Sequence, residues 1–249
     1  MLFGDNFACM KIDILFEDKD YVVINKPVGL IVHSDGKREE STVADWMLET
    51  YPKTKDVGEP IVLSDGQILL RPGIVHRIDR DTSGTLILCK NQKAFLSLKD
   101  QFKAKTVEKV YRAFVYGDVK EKEGVIDRPI GRSRKDFRMW SAQRGARGEM
   151  RDAITEFKTI ATSKTVSLIE AHPRTGRTHQ IRVHFKAINH PLVADSLYAP
   201  GHQALLGFKR LALHALKIEF KDLKGKVISV EAPYPDDFKK AMGSIKKAN

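Results

Sequence analysis

Only two cysteines, Cys9 and Cys89, occur in the 249 residues, so neither a disulfide framework nor a cysteine-built zinc knuckle is available. Cys89 closes the apolar run Thr85-Leu86-Ile87-Leu88-Cys89, where a buried free thiol is the expected state. Apolar runs of this kind fall far short of the roughly 20 residues of a membrane helix. The N-terminus lacks a basic region followed by an apolar core and carries an acid already at Asp5, so a secretory leader is not indicated and cytoplasm is the expected compartment. Internal repeats, low-complexity tracts and long linkers are missing as well. A single domain over residues 12–249, behind a short extension of residues 1–11, is the simplest organisation.

What the chain has in excess is positive charge: 43 Lys and Arg against 32 Asp and Glu, a net +11. That balance suits a polyanionic partner, through phosphate contacts and counterion release, although a merely basic soluble protein is the plain alternative. Seven arginines between Arg128 and Arg151, among them Arg134, Arg138 and Arg144, lie among Gly, Ser and Lys and read as a basic loop or hairpin, suited to phosphates, with a merely solvated loop as the alternative.

The pattern along the chain is strand-rich with interspersed helices, an α+β order and not a strict βαβ alternation. Ile12 to Phe16 and Tyr21 to Asn25 read as strands around a polar turn, and Lys53 to Gly66 as a surface loop. Ser41-Thr42 can cap a helix ending near Thr50, and Asn91 a helix with Phe95, Leu98 and Phe102 on its buried face. Val107 to Val119 reads as a strand with Tyr111, Ala113 and Val115 on one face. Ala153 to Ala161 and Thr165 to Ala171 alternate as paired strands, followed by a helix from Thr178 with Ile181, Phe185 and Ile188 inward. Leu211 to Phe220 and Val227 to Ala232 return to strand, and Pro235 to Lys247 has helical spacing.

Two segments carry chemistry. In the first, Gly73 to Gly84, a crowd of ionisable and hydroxyl residues lies between apolar runs, a polar loop held by strands. Asp79 sits between Arg77 and Arg80, whose charge favours the carboxylate as nucleophile or base; a salt-bridged turn is the alternative. The second segment, Arg174 to His184, joins a strand to a helix through Gly176. Its arginines and helix N-terminus can bind phosphate, and Arg182 among apolar neighbours needs a carboxylate partner; a solvated basic helix face is the alternative.

Together with Asn25-Lys26-Pro27-Val28-Gly29-Leu30-Ile31-Val32-His33 and Lys109-Val110-Tyr111-Arg112-Ala113, these segments form four blocks in an order that resembles the pseudouridine synthases of the RluA type. The likeness spans about residues 12 to 235. Ile78 stands where that family more often has Leu, and no small basic domain precedes residue 12, which touches the choice of RNA and not the reaction. The resemblance implies a mixed, mostly antiparallel sheet flanked by helices and loops around a central RNA-binding cleft. It implies Asp79 as the essential aspartate, Tyr111 stacked on the target base, Arg182 paired with the aspartate, and Arg77 filling the space left by the flipped nucleotide. His76, Arg174, Thr175, Gly176, Arg177, His179 and Gln180, with Arg134 and Arg138, are expected to bind the substrate.

The implied reaction breaks the N1–C1′ bond of a uridine, turns the held uracil and rejoins it through C5. No redox change or hydrolysis occurs, so no metal or organic cofactor is expected. The expected partner is a structured RNA, a transfer RNA or a ribosomal stem-loop, met by a monomer without an obligate protein partner or membrane. A non-catalytic RNA-binding or ribosome-associated protein is one alternative. A metal-dependent nuclease using His76, Asp79, Asp81, His179 and His184 is another, but His179 is followed by Gln180 and His184 falls five residues on, which is not zincin spacing.

Overall fold

The computed structural model describes residues 12–34, 36, 40–63, 66–143 and 146–245; the extension of residues 1–11 with Cys9, Arg144, and the last residues of the expected C-terminal helix, 246 and 247, lie outside them. The chain divides into two compact units. One comprises the residues up to Val107 together with Ile218–Ala232, the other Glu108–Lys217 together with the residues from Pro233 onward.

In the first unit β1 (Asp13–Glu17) and β2 (Tyr21–Lys26) form an antiparallel hairpin. Asp18 closes it by accepting the N–H groups of Asp20 and Tyr21 at 2.8 and 2.7 Å. Helix α1 (Val43–Thr50) starts at a capping box: Thr42 Oγ1 accepts from Asp45 N, and Asp45 Oδ2 accepts from Thr42 N. The stretch expected as loop contributes a strand, β3 (Ile61–Val62), paired with β4 (Ile68–Leu69). The inner strand is β5 (Ser83–Cys89), antiparallel to β2 and buried along its whole length, as its unbroken run of Thr, Leu, Ile and Cys requires.

Asn91 caps α2 (Gln92–Lys103) by accepting from Ala94 N at 3.0 Å. Phe95 and Leu98 of α2 are buried against Val23 and Ile87, and Phe102 covers the edge of that cluster. Burying each of the first two side chains contributes about 1.5–3 kcal/mol.

In the second unit β6 (Glu108–Tyr116) is followed by β7 (Glu123–Asp127), β8 (Ile130–Arg132), β9 (Trp140–Ser141), β10 (Arg147–Arg151), β11 (Ile154–Thr162) and β12 (Val166–Pro173). The expected pair β11–β12 is antiparallel, and the order is β6-β12-β11-β7. The arginine-rich stretch forms its own small sheet, β10-β8-β9.

Helix α3 (Gln180–Ala187) begins two residues later than Thr178, because His179 is in the left-handed region at φ 56° and cannot belong to a right-handed helix. Its Ile181, Phe185 and Ile188 pack with Ala113, Val115 and Tyr111 of β6, as the spacing predicts. Strand β13 (Leu213–Lys221) then leads to β14 (Val227–Glu231), its partner, and to α4 (Asp236–Ser244), whose Phe238 is fully buried with Phe114 and Phe208. Among the described residues, four α-helices with mostly antiparallel sheets make the expected α+β fold. Among the described residues no helix is long and apolar enough to cross a membrane.

Candidate active site

The Asp79 loop is anchored at its start by Gly73, whose N–H donates to Val57 O and whose carbonyl accepts from Cys89 N at the end of β5. Its φ is +67°, and a Cβ there would lie 2.2 Å from the Cys89 carbonyl oxygen, so only glycine permits this approach. His76 Nε2 accepts the N–H of Ile87 at 3.2 Å, which puts a neutral ring's proton on Nδ1, and the ring stacks on Phe102 at 4.8 Å. Ile78 is buried. Between the two, Arg77 is exposed, with Nη1 3.3 Å from His33 Nε2. Asp79 itself is half-buried, and its carbonyl accepts from Thr82 N at 3.1 Å in a tight turn.

Lys26 clamps this turn from β2. Its side chain is 0% exposed, and its ammonium donates to the carbonyls of Pro27 (2.8 Å), Leu30 (2.8 Å) and Arg80 (3.0 Å). Gly29 N donates to the same Arg80 carbonyl at 2.9 Å, while the Arg80 side chain pairs with Glu40 at 2.7 Å. The block Asn25 to His33 thus acts on the backbone next to Asp79, a role that nothing in its composition announces. Lys26→Met would leave buried carbonyls short of a donor and lower stability by at least about 2 kcal/mol. A urea midpoint equal to the parent's would refute the clamp.

In the second unit Tyr111 is half-buried on β6, opposite Ala171 of β12, so its ring rests on a rigid strand. Beside it Arg112 pairs with Glu170, which also meets His172 at 2.9 Å. Burial works to raise the Glu170 pKa, but the bonds from His172 and Arg112 outweigh it and hold the carboxyl below its ordinary value. Burial also pushes the Lys109 ammonium down to about 8, with Glu108 opposing and Arg174 assisting.

The second expected segment is mostly engaged with protein. Arg174 spreads its fork over Glu108 at 2.7 Å and Glu156 at 2.8 Å. Thr175 and Gln180 are buried: Thr175 Oγ1 donates to Gln180 Oε1, which also accepts from Arg177 N, and Gln180 Nε2 donates to Ile154 O and Thr155 Oγ1. These two side chains shape the β12–α3 connection and present no free face to a ligand. Gly176 and Arg177 are exposed, with Arg177 Nε on Asp152 O at 3.0 Å. His184 is buried between Thr155 and Arg128 O, and burial lowers its pKa.

Arg182 has the carboxylate partner that its burial demands. Its Nε and Nη2 donate to Asp195 Oδ2 and Oδ1, both at 2.8 Å, and the Asp195 side chain is fully buried. Asp195 Oδ1 also accepts from Leu197 N and Tyr198 N, and the Tyr198 ring lies 4.9 Å from the guanidinium carbon. The Tyr198 hydroxyl accepts from Trp140 N and hydrogen-bonds His179 Nδ1, both at 2.9 Å. Sequence reasoning missed Asp195 and Tyr198; the only available signal was that a buried Arg182 requires an anion. Arg134 and Arg138 are exposed on the β8–β9 loop, Arg138 held by Asp136 at 2.6 Å.

Among the described residues no three His, Cys, Asp or Glu side chains are grouped to hold a metal ion, so the donor set of the nuclease alternative is not assembled there. Residues 20–187, which include the clamped Asp79 loop and Arg182, match the family model described as RNA pseudouridylate synthase. An uncharacterized RNA pseudouridine synthase of Bacillus subtilis (strain 168) is 36% identical over 96% of this chain and 74% of its own length. The ribosomal large subunit pseudouridine synthase D of Zymomonas mobilis is 36% identical over 91% and 70%. In fold, the human RNA pseudouridylate synthase domain containing 4 superposes with a TM-score of 0.72 over 95% of each chain at 22% identity. The chain belongs to the RNA pseudouridine synthases, isomerases that act on RNA.

Proposed function

We propose that this chain converts a specific uridine of a structured RNA to pseudouridine with Asp79 as the reacting carboxylate, Tyr111 as the platform for the target base, and Arg182 as the partner of Asp79. The observation that supports this reading is the fixing of the loop backbone at and beside Asp79, where Thr82 N donates to the Asp79 carbonyl and Lys26 and Gly29 donate to the Arg80 carbonyl, so that Asp79 stands in a defined, half-buried turn. A guanidinium has five N–H groups, more than one carboxylate can use, so the Asp195 bond is compatible with a second carboxylate on Arg182.

Residues 12–249 would act as one catalytic domain with an RNA-binding cleft. Arg77 would fill the place of the flipped nucleotide, and His76, Gly176, Arg177 and His179 would line the RNA path, with Thr175 and Gln180 shaping it. Arg174 reaches RNA only by exchanging a carboxylate for a phosphate. N1 ends protonated and C5 gives up its proton, so the reaction balances without a co-reactant. The protein works as a cytoplasmic monomer, and large-subunit ribosomal RNA is favoured over transfer RNA because that substrate is named for relatives about as similar as any.

The test is incubation of the purified full chain with unmodified transcripts of large-subunit ribosomal RNA and of transfer RNAs, followed by carbodiimide mapping of pseudouridine. Conversion of one or a few defined uridines is expected. If neither class is converted and cells lacking the gene keep an unchanged pseudouridine map, the reading fails.

A further inference from the structure

Residues 132–151 carry seven Lys and Arg against two acids, and the β10-β8-β9 sheet displays Arg132, Arg147 and Arg151 at its surface. At the tip of the β8–β9 loop stands Phe137, 84% exposed, the most exposed large hydrophobic side chain among the described residues. A lone exposed apolar residue needs no explanation, but this one is held out by an ordered loop. Ser133 N donates to Met139 O and Met139 N to Asp136 O, both at 3.0 Å, and Arg132 Nη1 donates to the Phe137 carbonyl at 3.0 Å. The neighbours Met139 and Trp140 turn inward onto Val183 and Tyr198, and Arg132 lies over the Trp140 ring at 4.2 Å. Phe137 has no ring partner among the described residues, and the cations Arg134, Lys135 and Arg138 flank it.

We infer that Phe137 is a second stacking platform, which takes an unpaired base of the RNA while the flanking cations hold the adjacent phosphates. An exposed ring set among cations suits a single-stranded nucleotide: every base offers a π-face, and a paired base in a duplex does not. The inference rests on the reading of residues 128–151 as an RNA-facing segment, and it selects substrates with an unpaired nucleotide apart from the target uridine.

Fluorescence anisotropy with a uridine oligomer of about 12 nucleotides and a duplex RNA of similar length tests it in the full chain. Phe137→Ala should weaken binding to the single strand roughly tenfold, leave the duplex nearly unaffected, and keep the salt slope, since no charge is lost. Phe137→Trp should restore affinity, with its emission quenched by the oligomer. Equal single-strand affinity of Phe137→Ala and parent, or an equal loss on both probes, would overturn the stacking role. So would sedimentation showing a self-associating parent and a monomeric Phe137→Ala. Replacing Arg134 and Arg138 together should flatten the salt slope; if it does not, the RNA-facing reading fails irrespective of Phe137, whereas a flattened slope with an unaffected Phe137→Ala sinks only the stack.

Discussion

Asp79→Asn is expected to lower pseudouridine formation by at least about 10⁴-fold, the scale of loss when a group that acts directly on the reacting atoms is deleted. Asparagine keeps the shape of the side chain but is neither a nucleophile nor a base, so every route that begins with a carboxylate at the sugar, at the ring or at a sugar proton is closed. The loop should survive the change. The burial of Ile78, the Thr82-to-Asp79 backbone bond and the Lys26 and Gly29 donors on the Arg80 carbonyl are all left in place by asparagine. The variant should bind the same transcripts while leaving their uridines unconverted. Conversion at a rate within tenfold of the parent would remove Asp79 from the chemistry.

The parts legible in the sequence were those set by local chemistry. Thr42, of the expected pair Ser41-Thr42, and Asn91 cap their helices, because an N-cap is decided within four residues. The β11–β12 pair and the inward face of α3 follow from apolar periodicity. Strands that bury little were not legible: β10 is exposed at every position and has no alternation to read. The start of α3 was misplaced because a histidine at positive φ leaves no mark in composition.

At the site, Asp79 stood out by charge crowding in an apolar setting. The clamping by Lys26 was not legible, because one of its three carbonyl acceptors, that of Arg80, lies 54 positions away and is brought near only by the fold. Asp195 escaped for the same reason, being thirteen positions from Arg182 and joined to it only by the fold.

That distance makes Asp195 the strongest test of how Arg182 is held. Asp195→Ala takes from the buried Arg182 guanidinium the carboxylate it donates to twice, and from the backbone N–H groups of Leu197 and Tyr198 their acceptor, and should cost about 3–5 kcal/mol, seen as a lowered urea midpoint. Asp195→Asn keeps an acceptor for part of this set and should fall between the two. A double replacement, Arg182→Met with Asp195→Leu, removes both charges and fills their volume, so it should recover part of the stability. Full recovery is prevented by the two N–H groups, which still lack their acceptor. Pseudouridine formation should not recover with it, since the cation proposed to hold Asp79 is gone. A double variant that is both stable and active would show that the pair serves the core alone. One that regains stability while staying inactive separates the arginine's work on the reaction from its packing.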